Sequence, residues 1–157
     1  YFFESFRKSE FFNKLNKNFV QDNEVFSKES NIIRGLHYQI GKSQDKLIHV
    51  VSGAIKDIAV DVRVGSPNFG KSFIATLTAE NHKMLYVPEG FAHGYLVLEQ
   101  NTIVHYKCTN YYHAQSEHGV RWDDPDINID WGISDPVLSK KDKMLPFLKM
   151  QTKLPRF

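Results

Sequence analysis

The sequence of 157 residues predicts an all-β fold: an antiparallel jelly roll, or double-stranded β-helix, with short helices near the N- and C-termini. Three observations predict it. From Asn31 to Thr109, apolar stretches of strand length follow one another, divided by Gly, Pro and Asn turns. Aromatic residues make up 13% of the chain, with 12 Phe and 7 Tyr, which first of all suits the pleated surfaces of a β-rich core and secondarily a site that stacks a planar ligand. Polar side chains also recur on strands otherwise built for burial, where each needs a partner or a ligand.

In chain order, FFESF and EFFNKLNK within residues 1–20 read as a strand followed by one short helix. IIRGLHYQI, residues 32–40, reads as a strand that carries Arg34, His37 and Gln39. KLIHVVSG is a strand ending at the turn glycine Gly53. In AIKDIAVDVRVG, Ile55, Asp57, Ala59 and Asp61 fall on one face, with Ile58, Val60 and Val62 between them on the other. GSPNFGK is a turn cluster, and SFIATLTAE, KMLYVPEG, GYLVLEQN and TIVHYKCT are further strands. After Tyr112 the chain reads as irregular through WDDPDINIDWGISDP, and LSKKDKMLPFL as a short capped helix. No repeat, linker or low-complexity segment interrupts it, so residues 1–157 read as one domain with its own core. Two sheets enclosing a pocket give a jelly roll of the cupin kind.

Composition narrows the function. A formal net charge of +2 without a Lys/Arg block argues against nucleic acid. No apolar run approaches the roughly 18 residues of a spanning helix, and no signal-peptide pattern opens the sequence, so no membrane role is expected. The single cysteine, Cys108, excludes an internal disulfide and fits a reducing, cytoplasmic setting. Tyr1 stands where a Met would begin a natural chain, which reads as a trimmed N-terminus.

Of seven histidines, His37 and His93 stand out, each near a glycine in an apolar stretch, RGLHYQ and PEGFAHGY. Many cupins bind a metal through a His-x-His pair, a later glutamate and a histidine from a second motif. PEGFAH resembles that second motif, but RGLHYQ has one histidine followed by Tyr and Gln, so no metal is expected. The pocket must then work with side-chain acids and bases. His37 has the natural range for a general base near neutral pH. Lys46, at the start of KLIHVV, is either a solvated strand end or an ammonium aimed at developing negative charge. Tyr106 is either a core or edge aromatic or a proton donor. Asp142 is either part of a capping box, Ser139-x-x-Asp142, or the partner that fixes the His37 tautomer. Base, cation and proton donor together suit removal of a proton α to a carbonyl and its return to the other face, with the enolate held by fixed positive charge.

FFESF, FVQDN, RGLHYQ, KLIHVVSGAIKDIAVDVRVGSPNFGK, LYVPEGFAHGYLVL, YKCTNYY, RWDDPDINIDW and LSKKD occur in this order. Together they closely resemble the dTDP-4-dehydrorhamnose 3,5-epimerase family of nucleotide-sugar enzymes, from Tyr1 to about Leu148. The resemblance implies a cofactor-independent epimerase of a nucleotide-linked 4-keto-6-deoxy hexose, with dTDP-4-dehydro-6-deoxyglucose as the expected substrate. It implies His37 as the base with Asp142 as its partner, Lys46 as the enolate stabiliser and Tyr106 as the donor on the opposite face. It implies His93 at the sugar, Arg34 at the diphosphate with forked hydrogen bonds, and Gln39 among the pocket residues. Glu4, Gln21, Asn23 and Tyr112 match positions around the nucleotide. A homodimer exchanging N-terminal strands is implied as well, so that Phe3 and Glu4 serve the neighbouring subunit. The family's acid-x-Arg-Gly stretch would fall before Tyr1. Relatives that epimerise one carbon, or that act on GDP-linked or other sugars, remain alternatives, as does a non-catalytic sugar-nucleotide-binding cupin. Strict strand alternation puts Arg34 and His37 on opposite faces although both should reach one ligand, which predicts a bulge or kink at Gly35.

Overall fold

The computed structural model describes residues 1–157. Strands β1 (Gln21–Ser27), β3 (Lys46–Ser52), β6 (Met84–Val87) and β8 (Thr102–Cys108) form one sheet in the order β1-β8-β3-β6. The facing sheet holds β2 (Ile32–Gln39), β4 (Ala54–Asp61), β5 (Ser72–Thr78), β7 (Phe91–Val97) and β10 (Val137–Leu138) in the order β10-β2-β7-β4-β5, with β9 (Glu117–Gly119) also paired to β2. All pairings are antiparallel except that of β10 with β2. These are the two facing sheets of the expected jelly roll. The expected N-terminal strand is absent: residues 1–7 are irregular, and Tyr1 and Phe3 rest on the His82 ring, at 5.6 and 4.9 Å between centroids. Without a neighbouring strand, FFESF has nothing to pair its backbone with. The helix that follows, α1 (Lys8–Leu15), ends at Asn16, whose left-handed backbone returns its N–H to the Phe12 carbonyl.

Two apolar clusters make the core. Between the sheets, Ile48 and Val50 of β3 and Val104 of β8 meet Ile55, Ala59, Tyr95 and Val97 of β4 and β7. On the outer side of the second sheet, Ile33, Leu36, Ile58, Val60 and Leu96 are covered by Val120, Ile127, Trp131 and Leu148. The alternation in β4 therefore separates one core from another instead of core from solvent. The covering segment has little regular structure and is tied by side chains. The buried Asp124 carboxylate accepts the N–H groups of Asp126, Ile127 and Leu148 at 2.9, 3.0 and 2.6 Å, and Trp131 donates to the Trp122 carbonyl at 2.7 Å. Buried backbone groups outside a sheet need such partners.

The predicted irregularity at Gly35 is present. Arg34 pairs with Tyr95 and His37 with His93, so three steps on β2 oppose two on β7. Gly35 has a φ of +111°, the Gly35–Leu36 peptide is cis, and a Cβ at Gly35 would lie 2.6 Å from the His93 carbonyl oxygen and 2.7 Å from the Gly94 Cα. Gly94 is matched to it: a Cβ there would lie 2.6 Å from the Arg34 carbonyl oxygen. The extra residue turns Arg34 and His37 toward one cavity. Gly35→Ala is expected to cost on the order of 3 kcal/mol or more, a fall of roughly 10 °C in the midpoint of thermal unfolding. A midpoint within about 2 °C of wild type would contradict so close a crossing.

Candidate active site

Between the sheets lies a cavity with two lobes, about 140 and 270 Å³. His37, Lys46 and Tyr106 are the three residues that line both. They come from β2, β3 and β8, so the site exists only once the two sheets face each other.

His37 is held between two carboxylates that line the cavity with it. Its Nε2 lies 2.6 Å from Asp142 Oδ1, and its Nδ1 lies 3.8 Å from Glu117 Oε1. Asp142 stands on α2 (Lys140–Lys143), where Ser139 Oγ accepts its backbone N–H at 3.0 Å while its carboxylate turns away from the cap and faces the imidazole. Burial raises the Asp142 pKa, but His37, Ser139 and the Gly35 N–H outweigh it and hold the carboxyl below the usual carboxylate range. An ionised Asp142 can only accept, so Nε2 donates to it and Nδ1 keeps a lone pair free to take a proton.

Lys46 opens β3 opposite Cys108 and Val87. Burial pushes its ammonium down, against the opposing charges of Cys108, Glu117 and Asp57. No side-chain carboxylate pairs with it, so its positive charge is available to a ligand. The residue before it supplies the anchor. The buried Asp45 carboxylate accepts from Tyr86 OH at 2.6 Å, Thr109 Oγ1 at 2.8 Å and the Glu89 N–H at 3.2 Å, and lies 3.1 Å from Lys17 Nζ. Its backbone N–H donates to Thr109 Oγ1 at 2.8 Å. This knot fixes the start of β3 against the ends of β6 and β8. Tyr106 is half-buried in the middle of β8, between Asn23 and Ile48, and burial raises its phenol pKa, so it holds its proton near neutral pH.

Arg34 and His93 join these groups in the larger lobe. His93 Nε2 lies 2.6 Å from Oδ1 of Asp57, which is fully buried on β4. Gln21, Asn23, Gln39 and Tyr112 line the smaller lobe. Gln21 Oε1 accepts the Tyr112 N–H at 2.9 Å, and Gln21 Nε2 donates to Asn23 Oδ1 at 2.9 Å. The Gln39 amide is spent on backbone, donating to the Lys42 carbonyl at 2.6 Å and accepting the His113 N–H at 2.8 Å. It thereby holds the segment that presents the exposed Tyr112 ring, whose hydroxyl donates to Glu117 Oε2 at 2.7 Å. Phe3 and Glu4 line neither lobe of their own chain, and Glu4 is bound to Arg7 at 2.6 and 2.8 Å. No group of three or more His, Cys, Asp or Glu side chains is gathered as metal ligands.

Sequence reasoning missed four charged residues. Asp57 backs His93, Asp45 anchors β3, Glu117 faces His37, and Lys141 lines the larger lobe while pairing with Glu117. Asp57 had a visible signal, a carboxylate inside the apolar run AIKDIAV. Lys141 directly precedes Asp142 in LSKKD. Glu117, in AQSEHG, carries no pattern at all.

The family model for dTDP-4-dehydrorhamnose 3,5-epimerase matches residues 1–150. The chain belongs to the dTDP-4-dehydrorhamnose 3,5-epimerase family. A member from Methanothermobacter thermautotrophicus is 46% identical over 147 residues, covering 91% of this chain and 79% of the relative. The crystal structure of a dTDP-6-deoxy-D-glucose-3,5-epimerase from Legionella pneumophila, in complex with dTDP-4-keto-L-rhamnose, superposes with a TM-score of 0.94 at 41% identity, covering 99% of this chain and 85% of that one. A Bacillus anthracis dTDP-4-dehydrorhamnose 3,5-epimerase with TDP and PPi bound gives 0.89 at 46% identity, covering 93% and 85%. The family's jelly roll is thus the fold of this chain.

The anchor beside Lys46 predicts an acid limit to stability. Burial raises the Asp45 pKa, but the hydrogen bonds from Tyr86, Thr109, the Glu89 N–H and Lys17 pull it below the usual value. With the folded pKa below that of an unfolded Asp, about 3.9, the unfolded chain binds more protons between the two values, so stability falls as pH falls through this window. The urea midpoint is expected to fall between about pH 6 and pH 3. Asp45→Asn should be less stable than wild type at the upper pH and show a shallower dependence. An equal slope in the variant would remove Asp45 from the acid transition.

Proposed function

We propose that this chain is a single cupin-like domain that epimerises a nucleotide-linked 4-keto-6-deoxy hexose without a cofactor, converting dTDP-4-dehydro-6-deoxyglucose to dTDP-4-dehydro-L-rhamnose. The observation that carries the reading is that His37, Lys46 and Tyr106 alone line both lobes of one cavity. Family membership and the dTDP-sugar held by the Legionella structure support the substrate class.

In the proposed reaction, His37 Nδ1 takes the proton from the carbon next to the ketone. The C–H electron pair moves into the enolate, and negative charge collects on the ketone oxygen. Lys46 receives that charge. An ammonium in a poorly solvated site gains more from a developing anion than from a neutral ketone, so it favours the transition state over the ground state. Tyr106 then delivers its phenolic proton to the opposite face, and solvent restores both groups. Asp142 stabilises the imidazolium formed in the first step. Gln21, Asn23 and Tyr112 hold the nucleotide, Arg34 the diphosphate and His93 the sugar. In this reading the protein is a cytoplasmic homodimer with exchanged N-terminal strands, which carries Phe3 and Glu4 to the neighbouring cavity. The exposed Phe26 and Val51 on the four-stranded sheet favour such a partner. No helix is long and apolar enough to cross a membrane.

Solvent-deuterium incorporation at C3 and C5 across a panel of TDP- and GDP-linked 4-keto sugars tests this reading, and no exchange with any member would overturn it. His37→Ala is expected to lose at least about 10²-fold in kcat while keeping its circular dichroism spectrum. Tyr106→Phe should still exchange deuterium but epimerise at least about tenfold more slowly. Equal loss of both readouts in Tyr106→Phe would take the second proton transfer away from Tyr106.

A further inference from the structure

Three buried side-chain oxygens lack a hydrogen-bond partner: Ser27 Oγ, Asp57 Oδ2 and Tyr95 OH. Tyr95 alone among these residues lines the cavity, in the larger lobe. It lies on β7, paired with Arg34 on one side and Asp57 on the other. It lines the larger lobe together with Arg34, Tyr106 and His93, groups already assigned to the site. The ring belongs to the inter-sheet core and is only 4% exposed. Core packing accounts for that ring but not for its hydroxyl, since phenylalanine would fill the same space. A buried hydroxyl left unpaired costs about 1–3 kcal/mol, and native structures rarely carry that cost without a compensating partner. Burial also raises the phenol pKa, so the group stays neutral and can both donate and accept.

We propose that the Tyr95 hydroxyl is a substrate contact, hydrogen-bonded to an oxygen of the hexose, and that it makes the cavity prefer a sugar-bearing nucleotide over the bare nucleotide. The assignment rests on the nucleotide-sugar reading of the cavity. It follows from where the unpaired group stands. The larger lobe also holds His93, the Asp142 that backs the base and the Arg34 assigned to the diphosphate, whereas Gln21, Asn23 and Tyr112, assigned to the rest of the nucleotide, line the smaller one. A hexose ring is dense in hydroxyl and carbonyl oxygens, and such an oxygen supplies the missing partner when the ligand enters. Tyr95 is therefore a specificity-determining residue, and takes no part in the proton transfers.

The test is Tyr95→Phe, which removes one oxygen and keeps the ring. Binding is measured by calorimetry with two unreactive probes, dTDP and dTDP-glucose, the second lacking the 4-keto group. The variant should bind dTDP like wild type and dTDP-glucose about fivefold to twentyfold more weakly. Without ligand its thermal midpoint should equal or exceed that of wild type, because an unpaired group has been removed. Unchanged affinity for both probes would overturn the assignment, as would equal weakening of both, which would put the contact at the phosphates. A fall of several degrees in the unliganded midpoint would overturn it too, by showing that the hydroxyl has a partner within the fold. Neither probe reacts, so a wild-type protein that binds both but shows no deuterium exchange would count against the epimerase reading alone. A wild type that binds neither would overturn the nucleotide-sugar reading and this assignment with it.

Discussion

The cavity depends on the close crossing of β2 and β7 at Gly35 and Gly94. Each glycine occupies space that a Cβ on the other strand's residue would invade, at 2.6 Å from the neighbouring carbonyl oxygen in both directions. Two backbones can approach this closely only where both lack side chains. The crossing admits one extra residue on β2, and that residue changes which way the following side chains face. Without it, a period of two would send Arg34 and His37 to opposite sides of the sheet. One local irregularity thus converts a core strand into one wall of a charged cavity.

Around that wall the electrostatics follow a single pattern. Both imidazoles are backed by buried carboxylates, His37 by Asp142 and His93 by Asp57, each at 2.6 Å. Each carboxylate meets one ring nitrogen, Nε2, which leaves Nδ1 of each ring outside that bond. Lys46 is treated differently: its neighbour Asp45 turns to Tyr86, Thr109 and Lys17, leaving the Lys46 ammonium unmatched. A site with carboxylate-backed imidazoles and two unpaired cations, Lys46 and Arg34, is suited to a reaction in which negative charge appears on an uncharged ketone. Its cost falls on folding, through desolvation of Lys46 and the unpaired Tyr95 hydroxyl.

Much of this was legible in the sequence. Strand-length apolar runs divided by Gly, Pro and Asn gave β2 to β8, because turns and pleated surfaces impose local residue preferences. His37 stands out as a polar group on a strand that should be buried, Lys46 reads from its own position as a solvated strand end or an ammonium aimed at a ligand, and the conflict between Arg34 and His37 points to Gly35. The N-terminal strand does not form within one chain, since FFESF has strand-like residues but no strand beside it in its own chain. Gln39 was recognised as a pocket residue, yet its amide is committed to backbone groups that only the folded loop brings near.

The sequence by itself determined the element types, the turns, the place of the kink and the chemical kinds of side chain available, all of which depend on neighbours within a few residues. Tertiary structure alone decided the pairings that make those side chains useful. Asp142 is 105 positions from His37, and Asp57 is 36 from His93. Which carboxylate meets which imidazole is fixed by sheet order and register, and these are set by packing the two cores, not by any pattern along one strand. The same holds for Tyr95, whose ring reads as an ordinary core aromatic until its hydroxyl is found without a partner beside the cavity.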